Sequence, residues 1–121
     1  MDIKILEKAL RASWGEDTCY YPDYDVNNPS YGQCFATVLV VNDYFGGRIC
    51  KKKWGEDGHF WNLVDGKDVD LTRCQFKEPH DFSNPEILDR KDLEIPKYDE
   101  QIERYKILKN RVEEFLKEKL S

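Results

Sequence analysis

No run of apolar residues in this 121-residue chain approaches the roughly 20 that a membrane-spanning helix needs, so no membrane partner is expected. Positive charge is short as well. Nineteen Lys and Arg face 24 Asp and Glu, a formal charge of −5, whereas a grip on phosphate backbones comes chiefly from Lys and Arg; no nucleic-acid partner is expected. The four cysteines, Cys19, Cys34, Cys50 and Cys74, include no C-x-x-C pair, the spacing of common zinc sites. No metal or other cofactor is therefore expected, and a metal held by scattered cysteines with His59 or His80 is the weaker alternative. The opening Met1-Asp2-Ile3-Lys4 is charged and soon amphipathic, without the apolar block of a secretory signal. A cytoplasmic location and reduced thiols are the resulting expectations, with Cys19, Cys50 and Cys74 as small buried side chains.

What is present suits a single globular domain over residues 1–121, with 40% apolar and 36% charged residues. Ile5, Leu6, Ala9 and Leu10 recur at helical spacing, predicting a helix from about Ile3 to Ser13. Trp14 to Pro29 is rich in Gly, Asp, Asn, Tyr and Pro and reads as a long surface loop. Ser30, with Gln33 three residues later, forms a capping-box pattern ahead of the apolar run Phe35–Val41, and Gly46-Gly47 ends that run; together they predict a buried helix despite four β-branched residues. Lys51-Lys52-Lys53, beside Arg48, lies in an expected strand and reads as a solvated or edge face, with a basic guide for an acidic substrate as the alternative. Residues 77–98, punctuated by proline, read as an irregular arm. From Asp99, the positions Ile102, Tyr105, Leu108, Val112, Phe115 and Leu116 predict an amphipathic C-terminal helix over about 99–120, which either packs on the domain or binds a protein partner.

Three short words stand out along residues 30–76: Tyr31-Gly32-Gln33-Cys34, then Gly58-His59-Phe60-Trp61-Asn62, then Val69-Asp70-Leu71-Thr72. In order they supply a thiol, an imidazole and a carboxylate, the set a cysteine nucleophile needs to attack an acyl carbon. Cys34 falls in the first turn of the expected helix, where unpaired backbone N–H groups favour thiolate and can hold an oxyanion. Asp65-Gly66 is a two-residue turn signal, so the second and third words form a hairpin in which Val64 faces Lys67, Trp61 faces Asp70 and His59 faces Thr72. His59, Trp61, Asp70 and Thr72 then share one face, with Asp70 diagonal to His59 at about 7–8 Å between backbones.

These blocks resemble the transglutaminase-like cysteine enzymes: Tyr-Gly-Gln-Cys before a helix, His-x-Trp-Asn on a strand, and Asp-x-Thr with Gln75 after it. The resemblance implies an α+β fold with a papain-like core: the helix bearing Cys34 packed on a small antiparallel sheet that holds His59 and Asp70. It implies Gln33, Trp61, Asn62, Thr72 and Gln75 as supporting residues. The family's oxyanion-holding tryptophan lies upstream of the nucleophile; Trp14 is the upstream tryptophan here, with packing of the first helix as its other reading. More of the chain, from Ser13-Trp14 through Asp43-Tyr44-Phe45-Gly46-Gly47 to Gln75-Phe76, resembles the YunG-like group of small bacterial proteins, which implies no particular reaction.

The expected function is cysteine-dependent acyl transfer or hydrolysis by Cys34, His59 and Asp70 on a peptide or small-molecule acyl substrate. The alternative is a non-catalytic acidic binding or immunity-type protein that keeps the fold without using the thiol.

Overall fold

A computed structural model describes residues 1–54, 57–73 and 81–120. Helix α1 spans Ile3–Ser13, as its apolar spacing predicts. The Asp2 carboxylate accepts the Lys4 N–H at 2.8 Å, filling one of the donors a helix start leaves open, and Leu6, Ala9, Leu10 and Ser13 form the buried face. A short 3-10 turn, Glu16–Thr18, comes next. The polar loop beyond it is fastened at its base, where Tyr20 N–H donates to Gly32 O at 2.8 Å and the Cys19 thiol donates to Tyr31 O at 3.2 Å. Gly32 has φ +74, and a Cβ there would stand 2.6 Å from Cys19 Sγ, so the close approach requires glycine.

Helix α2 spans Cys34–Phe45, and every residue from Phe35 to Val41 is buried. A helix apolar on all sides must be surrounded, and tertiary burial here overrides the strand preference of Thr37, Val38, Val40 and Val41. Gly46, at φ +68, ends it. The Ser30–Gln33 capping box does not form. Gln33 is itself the residue preceding the helix and makes no side-chain cap; its Nε2 instead donates to Gly15 O at 3.1 Å, while its backbone N–H bonds Ser30 O at 3.1 Å. The bond to Gly15 uses the amide nitrogen, and Oε1 accepts nothing from Ser30.

The sheet is antiparallel, in the order β3-β2-β1-β4, built from β1 (Arg48–Trp54), β2 (Asp57–Val64), β3 (Lys67–Val69) and β4 (Glu86–Leu88). The hairpin has the expected register, Val64 opposite Lys67 and Asn62 opposite Val69, across Asp65 and Gly66 at φ 52 and 76. Positive φ at both positions matches the tight turn that an Asp-Gly pair favours. The return strand stops at Val69, short of the expected pairing out to Thr72.

Two expectations need correction. The arm is not wholly irregular: Glu86–Leu88 adds an edge strand to β1, and Arg90–Leu93 forms a short helix, α3. Consequently β1 is not an edge where Lys51 lies, because β4 pairs with Ile49, Cys50 and Lys51. Arg90 ties the arm down by bonding Asp43 at 2.8 Å and the Tyr105 hydroxyl at 2.9 Å.

Helix α4 runs Asp99–Leu120. Its stripe of Tyr105, Leu108, Val112 and Leu116 is buried, with Ile102 and Phe115 partly so, against α1 and α2. Of the two roles open to that stripe, packing on the domain is the one observed. Among the described residues no helix is long and apolar enough to cross a membrane.

Candidate functional site

The thiol, the ring and the carboxylate converge. The start of α2 presents Cys34, β2 presents His59, and the residue just past β3 is Asp70. His59 Nε2 and Asp70 Oδ2 lie 2.7 Å apart, both buried, with the His59 ring 3% exposed. The second Asp70 oxygen accepts the Thr72 N–H and the Thr72 hydroxyl, each at 3.0 Å, and Arg73 donates to the Asp70 carbonyl at 2.8 Å. The carboxylate is therefore fixed by its own downstream turn before it meets the ring. Asp70 takes Nε2, and the Cys34 side chain lies near enough to the ring to favour its charged form.

Burial by itself would push the His59 pKa down. Hydrogen bonds to Asp70 and Cys34, with their charge interactions, outweigh it and raise the pKa to about 9. The ring is then protonated at neutral pH, donating from both nitrogens, and can hold negative charge on the sulfur beside it. The N–H groups of Cys34, Phe35 and Ala36 precede the first backbone bond of α2, so they lack intrahelical acceptors and stand available to an oxyanion next to the thiol.

Supporting residues act around this trio. Trp61, fully buried, stacks on the His59 ring at 6.0 Å between centroids, donates to Asp68 Oδ1 at 2.9 Å and meets Phe82 edge-on. Asn62 donates to Val38 O at 3.0 Å, binding β2 to α2 and so the strand of His59 to the helix of Cys34. Gln33 is fully buried, its Oε1 without a partner among the described residues, and it works on Gly15 rather than in the cavity. Trp14 donates its indole N–H to Thr37 Oγ1 at 3.0 Å within the core, so that N–H is already committed and the residue packs α1 on α2. Gln75, Cys74 and His80 lie outside the described residues. Cys19 and Cys50 are buried free thiols, their pKa values raised by burial, whereas Cys34 is half-buried and reachable. Among the described residues no group of three metal-binding side chains occurs.

Cys34 and His59 open into a cavity of about 690 Å³, a volume that suits a small ligand or a short peptide segment. Its walls include the rings of Tyr20, Tyr21, Phe35, Phe60 and Tyr98. Lys51 and Arg104 also line it, residues not singled out as site residues in the sequence; the Lys51–Lys53 cluster pointed toward Lys51, and no signal pointed toward Arg104.

Residues 2–117 match the family described as YunG protein, and the chain belongs to that family. It is similar to the protein called "Uncharacterized protein YunG" of Bacillus subtilis (strain 168), 43% identical over 75 residues. That alignment covers 62% of this chain and 64% of the relative, somewhat under two thirds of its length. No solved structure matches the chain.

Proposed function

We propose that the protein is a cysteine-dependent acyl-transfer enzyme with a papain-like core of the transglutaminase-like kind, using Cys34 as nucleophile, His59 as proton carrier and Asp70 as the group that orients His59. The observation that carries this reading is the buried 2.7 Å bond between Asp70 and the His59 ring, which lines the same cavity as Cys34 at a helix start. A protein that only used the surface would have no need to bury a carboxylate and an imidazolium together, since each costs desolvation unless matched.

The Cys34 sulfur attacks the carbonyl carbon of an amide or ester, forming a C–S bond, and the charge moves to the carbonyl oxygen, where first-turn N–H groups of α2 donate to it. His59 gives its proton to the leaving nitrogen or oxygen as that bond breaks, leaving a thioester and a neutral ring. Water or an amine then gives a proton to His59 and attacks the thioester, and the sulfur leaves as thiolate beside the recharged ring. Asp70 keeps its proton-free form throughout and holds the ring to both tasks.

The test is trapping. Incubation with p-nitrophenyl acetate, with intact-mass and peptide analysis afterwards, should give an acetyl group on Cys34 that turns over and is lost in Cys34→Ser and His59→Ala. No adduct on Cys34 under any condition would leave the non-catalytic binding role as the better account.

A further inference from the structure

The cavity beside Cys34 has a charge balance that the chain as a whole does not. In a protein of net charge −5, its wall carries Lys51, Lys97 and Arg104 against Asp99 and Glu100, with the His59 imidazolium at one side. Two of the cations have no counter-ion among the described residues. Lys51 Nζ donates to the neutral Tyr98 hydroxyl at 3.3 Å and lies over the Phe60 ring at 5.5 Å. Arg104 lies over the Tyr20 ring at 5.8 Å, and among the described residues its buried Nη1 has no hydrogen-bond acceptor. Carboxylates do stand nearby: Asp99 and Glu100 are exposed wall residues, and Glu86 faces Lys51 across the β1–β4 pair. Among the described residues none pairs with either cation within 4.0 Å.

A buried guanidinium N–H without an acceptor is costly, and an interior that tolerates it normally supplies the acceptor from elsewhere. Lys51 also has its path cleared. A Cβ on Gly58, the neighbour of His59, would stand 2.7 Å from Lys51 Cε, so the absence of a side chain there lets the lysine stem lie across β2 into the cavity.

We propose that Arg104 and Lys51 form an anion-recognition subsite, and that the substrate of Cys34 is an acyl compound carrying a carboxylate near the carbonyl under attack. Arg104 offers the planar fork that matches a carboxylate, and Lys51 offers a point charge. Lys51 lies against Phe60 and Tyr98 and Arg104 against Tyr20, so each cation is partly turned away from water, which strengthens its pull on an anion. The subsite rests on the acyl-transfer chemistry proposed above, but it makes a separate demand on the cavity.

Two alkylating reagents separate the demands, because iodoacetate carries a carboxylate and iodoacetamide does not. Rate constants for Cys34 with each are measured by peptide mass spectrometry in the wild type, Arg104→Gln, Lys51→Gln and the double variant. Each iodoacetate-to-iodoacetamide ratio is divided by that of free cysteine. The His59 charge raises the ratio in all four proteins alike, so the subsite is read from the differences. Each substitution should lower the ratio by roughly threefold to tenfold at low salt, and Arg104→Lys should restore part of it. A ratio unchanged in the double variant overturns the subsite. An iodoacetamide rate that ignores His59→Ala instead overturns the acyl-transfer reading, whatever the ratio does.

Discussion

Replacing Asp70 with Asn removes one negative charge while keeping the side chain's size, and the geometry around the carboxylate dictates the outcome. Asp70 accepts hydrogen bonds from His59 and, twice, from Thr72. An amide retains one oxygen, so either the ring or Thr72 meets an N–H group where it needs an acceptor. For the ring, the interaction favouring its charged form is weakened while burial, which opposes that form, stays. The rise from 6.5 to about 9 corresponds to about 3 kcal/mol of preferential binding of the proton by the folded state. Because the folded value lies above the unfolded one, that stability is fully present below pH 6.5 and is lost as pH climbs through 9. NMR titration of the imidazole signals, assigned with His80→Gln, should place His59 near 9 in the wild type and lower by roughly two units in Asp70→Asn. Urea unfolding should show the stability gap between the two proteins widest at about pH 6 and narrower by about 2–3 kcal/mol at about pH 9.5. Identical His59 titration in both proteins would refute the reasoning, since the carboxylate would then contribute nothing to the ring's charge.

Other substitutions probe the frame that brings the trio together. Gly32→Ala places a Cβ against Cys19 and forces a positive φ on alanine; a loss of about 2 kcal/mol or more in chemical denaturation is expected, which Cys19→Ala in the same chain should only partly relieve. Asn62→Ala removes the donor to Val38 O between β2 and α2 and should cost about 1–3 kcal/mol, together with a slower alkylation of Cys34 as the two elements drift apart. Leu108→Ala, at a fully buried position of α4, should cost about 2–5 kcal/mol while leaving the His59 titration in place, measured on the folded fraction.

Where one element speaks for itself, the residues specify it closely. The bounds of α1, the glycine end of α2, the Asp65-Gly66 hairpin register and the long α4 all come from periodicity and turn chemistry. The pairing of His59 with Asp70 was legible for the same reason, because a two-residue turn fixes which side chains share a face. The failures come where a distant group decides. Gln33 matched a capping pattern, yet its amide nitrogen bonds Gly15 O, 18 residues away in sequence, and its Oε1 accepts nothing from Ser30. Residues 86–88 are too short to show a strand period, and they become one because β1 offers an open edge. Lys51 and Arg104 come from a strand and the last helix, and no local spacing relates them to Cys34.

The central claim concerns the state of one sulfur, and the pH dependence of iodoacetamide labelling at each cysteine tests it most directly. In the wild type, Cys34 should label at about pH 6 much faster than free cysteine, with buried Cys19 and Cys50 lagging, and His59→Ala should abolish that advantage. If Cys34 instead labels at that pH no faster than free cysteine, with or without His59, the thiolate–imidazolium pair does not exist and the catalytic account fails.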